Sequence, residues 1–222
     1  MALGHIQILR QGISTWNQWR ANHPNVTPDL CGANLADAHL SQANLSGANL
    51  FRASLCRANL SQAHLHAANL SHGDLRRANL KDTVFSDANL SGTCLSRADL
   101  SRANFYAANL SGANLSQANL SDANLQRAYL IEANLQSANL SDTDLTGANL
   151  RNANLSHAKA LRSNFSKSEL TGACLQGWKI DDITLFQEIC CKYVYLKSHK
   201  QGRYPKQGLF DANEFITILQ QA

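Results

Sequence analysis

The sequence predicts an all-β solenoid, a chain wound into coils with apolar side chains stacked inside. Three observations lead there. Of the 31 positions reached by stepping in fives from Leu30 to Ile180, 26 are Leu, and the others are Phe85, Phe105, Ala160, Phe165 and Ile180. Two residues before each centre, all 29 positions from Ala33 to Ala173 are small, 23 of them Ala. Between the two stands Asn or Asp in 20 of those 29, as at Asn34, Asn49, Asp74 and Asn119. No regular element fits a step of five. On an α-helix each Leu would lie about 140° from the last and the Leu residues would spiral around it. In a continuous strand an odd period sends successive Leu residues to opposite faces. A chain that bends after every short extended segment satisfies the pattern: Ala and Leu, two apart, point inward, Asn points outward, and the next two residues make a corner.

The repeat also explains the composition. Leu, Ala, Asn and Ser fill 106 of 222 positions, a bias seen in low-complexity chains, yet 44% hydrophobic against 16% charged residues is enough to bury a core. Leu and Ala each occupy an interior column, Asn lines the ridge between them, and Ser serves the corners.

Three segments follow in order. Residues 1–27 form a helical cap, because Ile6, Leu9, Ile13 and Trp16 recur at helical intervals, Trp19 adds apolar area, and Pro24 and Pro28 break into the first coil. Such a cap covers the unpaired backbone that the end of a solenoid exposes. Residues 28–180 are the coils. Residues 181–222 are a second cap, with Ile189–Leu196 as a strand, His199–Gly208 as a basic loop, and a short helix started by Asp211 and Glu214. Phe210 and Phe215 form its hydrophobic staple, and Phe215, Ile218 and Leu219 its buried face.

The A-N-L-x-x unit over residues 29–180 resembles the pentapeptide repeat family. The resemblance implies a right-handed quadrilateral β-helix with four units per coil, hence about 7–8 coils and a length of roughly 37 Å at ~4.8 Å per coil. Trp16-Asn17-Gln18-Trp19-Arg20 resembles a WNxWR lead-in found before the coils of bacterial, often cyanobacterial, members. Tyr193-Val194-Tyr195-Leu196 with Glu214-Phe215 resembles a tail that follows them, although Asn213 stands where Gly is expected.

Positions 20 apart then stack. Phe85, Phe105 and Phe165 share one interior ladder, as core. Leu and Ala filling the interior leave no room for a ligand, so function belongs to the outer faces or the ends. Outside, Arg57, Arg77 and Arg97 form a column, with Arg76 beside them and Arg52 and Arg102 at neighbouring corners; these six arginines are the candidate binding patch. Asp82, Arg102, Asp122, Asp142 and Arg162 alternate along the next face and read as mutual neutralisation. His64 and His66 make an H-x-H without further ligands at metal spacing, and the six cysteines show no C-x-x-C spacing, so neither a metal nor a disulfide framework is expected.

No phosphate-loop, dinucleotide, nucleophile-elbow or zincin motif occurs, which predicts a protein that is not an enzyme and needs no cofactor. The expected function is a rigid scaffold whose flat faces meet another protein, as a monomer or an end-to-end dimer. One alternative is a DNA-mimicking regulator of gyrase, as in the quinolone-resistance branch of the family. Residues 28–180 carry 13 basic and 11 acidic groups, a net +2 that argues against such a mimic. The other is a weak nucleic-acid binder using the Arg57/Arg77/Arg97 column, for which an overall charge of +4 is slight support. No apolar run approaches the ~20 residues of a membrane span, and Met1–Arg10 lacks the features of a signal peptide, so the expected location is the cytoplasm.

Overall fold

The computed structural model describes residues 4–197, 199–210 and 214–215. From Asp29 onward, parallel bridges join each residue of the Asn column to the residue 20 further on, from Asp29↔Asn49 through Lys159↔Lys179. Four five-residue units therefore make one turn of a four-sided coil. Each side carries a single bridging residue between corners.

One unit shows why the consensus is what it is. Leu100 N donates to Asn119 O at 2.7 Å, Arg102 N to Ser121 O at 2.9 Å and Asn104 N back to Thr83 O at 2.9 Å, all between coils. Ala103 N closes the corner onto Leu100 O at 3.0 Å. That leaves one N–H of the five, on Ser101, and the Asp99 carboxylate accepts it at 3.1 Å. The Asn/Asp column thus supplies the acceptor that the fold's own backbone lacks. Asn side chains also bond along the column, for instance Asn139 Nδ2 to Asn119 Oδ1 at 3.0 Å.

The corners have a fixed conformation. At every fifth residue from Gly32 to Gly177, φ lies between 53° and 78°, although most of these residues are not Gly. With the i→i+3 hydrogen bond, this is the pattern of a type II turn. Arg, Asp and Gln are held there because the bonds to both neighbouring coils over-determine the backbone.

Leu and Ala fill the interior as expected, nearly all fully buried. At four of the five positions where Thr or Ser replaces Ala the hydroxyl bonds to a core carbonyl, as Thr83 Oγ1 does to Leu60 O at 2.9 Å, and the buried Ser168 hydroxyl is the exception. The Phe85 and Phe105 rings stack at 4.8 Å and 4°. Phe165 lies further along the ladder, beyond Leu125 and Leu145, and stacks on Phe186 at 5.5 Å.

Phe186 marks a correction. The coils do not end at Ile180: bridging resumes as Asn164↔Leu185, Glu169↔Cys190 and Cys174↔Tyr195, now 21 residues apart. One extra residue enters after Lys179, and the winding continues with Phe186 above Phe165. The 168 residues from Asp29 to Leu196 make just over eight coils at 20 per coil.

The N-terminal cap is two helices, α1 (His5–Arg10) and α2 (Ile13–Asn22), separated at Gly12, whose φ of 113° interrupts the helix. At the other end only Val194–Leu196 of the predicted strand Ile189–Leu196 is regular strand; Cys190 makes an isolated bridge to Glu169, and Tyr195 bridges Cys174 of the last coil. The predicted basic loop also contains a strand: β1 (Val194–Lys197) pairs antiparallel with β2 (Gln201–Tyr204). Phe215 is buried, in edge-on contact with Phe186 and Phe210. Asp211, Ile218 and Leu219, on which the predicted terminal helix also rested, lie outside the described residues. Among the described residues, no helix is long and apolar enough to cross a membrane.

Candidate functional site

The first coil needs partners for backbone groups that later coils satisfy from below, and the N-terminal cap provides several. Trp16, fully buried, donates Nε1 to Asn44 O at 2.9 Å. Asn17 accepts from Asn44 N at 2.8 Å and donates to Gln42 O at 3.0 Å. Arg20 donates to Val26 O at 2.7 Å and Ser46 O at 2.9 Å, and His5 Nδ1 accepts from Asp29 N at 3.0 Å. Trp19, partly buried against the core, stacks on His23 and meets His5 at an interplanar angle of 55°. Sequence reasoning picked the tryptophans for their apolar area. It named Asn17 and Arg20 only as letters of the lead-in motif, without their hydrogen-bonding roles, and it missed His5; the signal was their polarity next to an open strand edge. These side chains tie the two helices to the first coil.

The arginines occupy the outer corners. The structure gathers four of the six predicted patch residues into one cleft of about 480 Å³, lined by Cys56, Arg57, Arg76, Arg77, Ser96, Arg97, Ser116 and Gln117. Their charges are not equivalent. Arg57 leans one coil toward the N-terminus and grips Asp37 with two bonds of 2.6 Å. Arg76 folds back on Asp74 with bonds of 2.8 and 2.7 Å. Both carboxyls are held below their ordinary value, in each case mainly by the arginine hydrogen bonds. Arg97 leans the other way and gives only Nε to Gln117 Oε1, at 3.1 Å. The Arg77 guanidinium has no hydrogen-bond or ionic partner among the described residues, its backbone N–H alone donating, to Ser96 O at 3.1 Å. The column therefore opens at Arg77, its neighbours drawn aside in opposite directions.

Arg52 and Arg102 lie at other corners. Arg52 packs its guanidinium over the Phe51 ring at 5.0 Å. Arg102 is locked to Asp82 by two 2.6 Å bonds, as Arg162 is to Asp142 at 2.6 and 2.5 Å, so the alternating face is internally paired at these two points. His66 faces Ser86 O at 3.0 Å and Asp87 at 3.6 Å. Among the described residues, no three His, Cys, Asp or Glu side chains converge as metal ligands would. A second cleft, of about 490 Å³, lies further along the arginine corner, where His157, Cys174, Tyr195 and Lys200 are among its lining residues.

The family model described as Pentapeptide repeats matches in eight copies along residues 29–182. No curated protein matches the chain. Among solved structures it is similar to Rfr23, a pentapeptide repeat protein from the cyanobacterium Cyanothece 51142, with 36% identity over 42% of this chain and 64% of that one and a TM-score of 0.42. It therefore spans less than two thirds of Rfr23. It is also similar to HetL, a pentapeptide repeat protein involved in heterocyst differentiation regulation in the cyanobacterium Nostoc sp. strain PCC 7120. That pair shares 28% identity over 77% of this chain and 85% of HetL, with a TM-score of 0.30. A third is QnrB1, a plasmid-mediated fluoroquinolone resistance protein, at 16% identity over 73% of this chain and 91% of that one, with a TM-score of 0.37.

Proposed function

The chain belongs to the pentapeptide repeat family and folds as a right-handed quadrilateral β-helix, and we propose that it is a non-enzymatic scaffold that holds a protein partner against its arginine corner. The observation carrying this reading is the cleft at Arg77, an exposed guanidinium without a counter-charge beside another, Arg97, that is only half engaged. Arg57 and Arg76 in the same cleft, and Arg102 and Arg162 on the next face, have each found an aspartate. A rigid, inward-packed coil suits presentation of such a surface and offers no enclosed chamber for catalysis. The cysteine spacing fits action in a reducing compartment such as the cytoplasm.

Charge disfavours the two alternatives. A DNA mimic needs a continuous negative face, and this corner is positive. A nucleic-acid track needs basic groups in succession, whereas Asp37 and Asp74 interrupt this one. The test is affinity capture from the native host with wild type, Arg77→Glu/Arg97→Glu and, as a distant control, Arg151→Glu. The expected result is a protein retained by wild type and Arg151→Glu and lost from the double variant. Equal recovery by all three would refute the surface assignment.

A further inference from the structure

We propose that the arginine corner recognises a phosphorylated side chain of its partner protein; this rests on the scaffold reading and names the chemistry of its ligand. The free charge in the cleft amounts to two guanidinium groups, Arg77 with all its donors and Arg97 with its two terminal nitrogens. They belong to adjacent coils, ~4.8 Å apart along the axis. A phosphomonoester carries about −1.5 to −2 at neutral pH and has three acceptor oxygens, so it matches two arginines in charge. A carboxylate, with one charge and two oxygens, leaves one arginine uncompensated.

The neutral donors in the cleft point the same way. Ser96 and Ser116 line it, half-buried, and their hydroxyls bond to nothing else among the described residues. The Ser96 N–H is also free, for a reason visible in the sequence. Corner N–H groups are normally accepted by Asn or Asp two residues earlier, and that position is Cys94. The same substitution, Ser54 for Asn, frees the N–H of Cys56 in the same cleft. Two arginines, two hydroxyls and two backbone N–H groups outnumber the side-chain acceptors of the lining, of which Gln117 Oε1 is already engaged by Arg97. Such a set suits an oxyanion.

The site takes one anionic group and not a polyanion. Toward the N-terminus the column runs into the Arg57–Asp37 pair, and toward the C-terminus into Gln117 and Ser137, which are neutral. A nucleic-acid backbone would find no second basic step.

The test uses three peptides with identical Ala/Gly flanks, bearing phosphoserine, serine or glutamate at the centre, together with inorganic phosphate and a short single-stranded DNA. Arginine Nε–H resonances provide the readout. The phosphoserine peptide is expected to shift the Arg77 and Arg97 signals, the serine peptide to leave them unmoved, and the glutamate peptide to bind at least about tenfold more weakly. Arg77→Asn is expected to abolish the response. Asn suits the positive φ of 57° at this corner, so the coil is preserved. Arg151→Ala, outside the cleft, is expected to bind as wild type does. Equal binding of the glutamate and phosphoserine peptides, tighter binding of the DNA, saturation by inorganic phosphate alone, or an undiminished response in Arg77→Asn would each overturn the proposal. If partner capture still depends on Arg77 and Arg97 while the phosphoserine peptide fails, the scaffold reading stands and the phosphate reading falls.

Discussion

Replacing Asn139 by Ala measures what the Asn column contributes. Asn139 Oδ1 accepts from Ser141 N at 3.2 Å and from Ser141 Oγ at 2.8 Å, while Nδ2 donates to Asn119 Oδ1 at 3.0 Å. Ser141 is only 5% exposed, so water cannot easily replace the lost acceptor. Leaving its two donors unpaired and losing the ladder bond sums to about 2–3 kcal/mol. Asn59 makes the matching comparison, because its side chain serves only Ser61 N, at 3.1 Å, and Ser61 is less buried. Asn59→Ala is expected to cost about 1 kcal/mol or less. Asn139→Asp keeps both acceptor bonds and loses only the ladder donor, for a loss also near ~1 kcal/mol. The assay is urea unfolding, with midpoints compared at equal m-value, since nearest-neighbour coupling decides whether the coils unfold together. Equal losses in Asn139→Ala and Asn59→Ala, or a loss below about 0.5 kcal/mol in Asn139→Ala, would show that the corner N–H does not need its acceptor.

Three further outcomes follow from the same geometry. Phe105→Ala opens a void beside Phe85 and is expected to cost about 3–5 kcal/mol, whereas Phe105→Leu restores the commoner core residue at under ~1.5 kcal/mol, both read from urea midpoints. Burial pushes the Cys191 thiol up to about 12, so iodoacetamide at pH 8 is expected to label exposed Cys31 and Cys94 and spare Cys191 until urea is added. Asp82 and Asp142 are held below their ordinary value of 3.8, chiefly by hydrogen bonds from Arg102 and Arg162. Their contribution is fully present above that value and is lost as pH falls through the depressed ones. Arg102→Ala/Arg162→Ala should therefore lower Tm at pH 7 and narrow its gap to wild type near pH 2; a gap that widened in acid would contradict the pairing.

The coil interior was legible because a core column must be apolar and its period survives every surface change. The extra residue after Lys179 was not. Asp181-Asp182-Ile183-Thr184-Leu185-Phe186 offers several apolar residues as the next centre, and only inter-coil bonding selects Phe186. The positive φ at the corners was hidden for a similar reason: Arg77 and Gln117 carry no propensity for it and are held by the coils on either side. Stacking arithmetic placed Arg57, Arg77 and Arg97 in one column but could not say which way each bends. Arg57 has an aspartate within reach on one side and Arg97 an amide on the other, and that difference turns a uniform stripe into a cleft. The polar side of the N-terminal cap was missed because helical periodicity reports only the apolar face.

The most direct test of the account pairs two measurements on Arg77→Asn: its Tm and its affinity for the phosphoserine peptide. Arg77 lies between two like charges, without a counter-ion and in a backbone conformation that Asn adopts more readily. A surface kept for binding predicts that the variant melts no lower than wild type and loses the peptide. A variant that melts lower and still binds would contradict it.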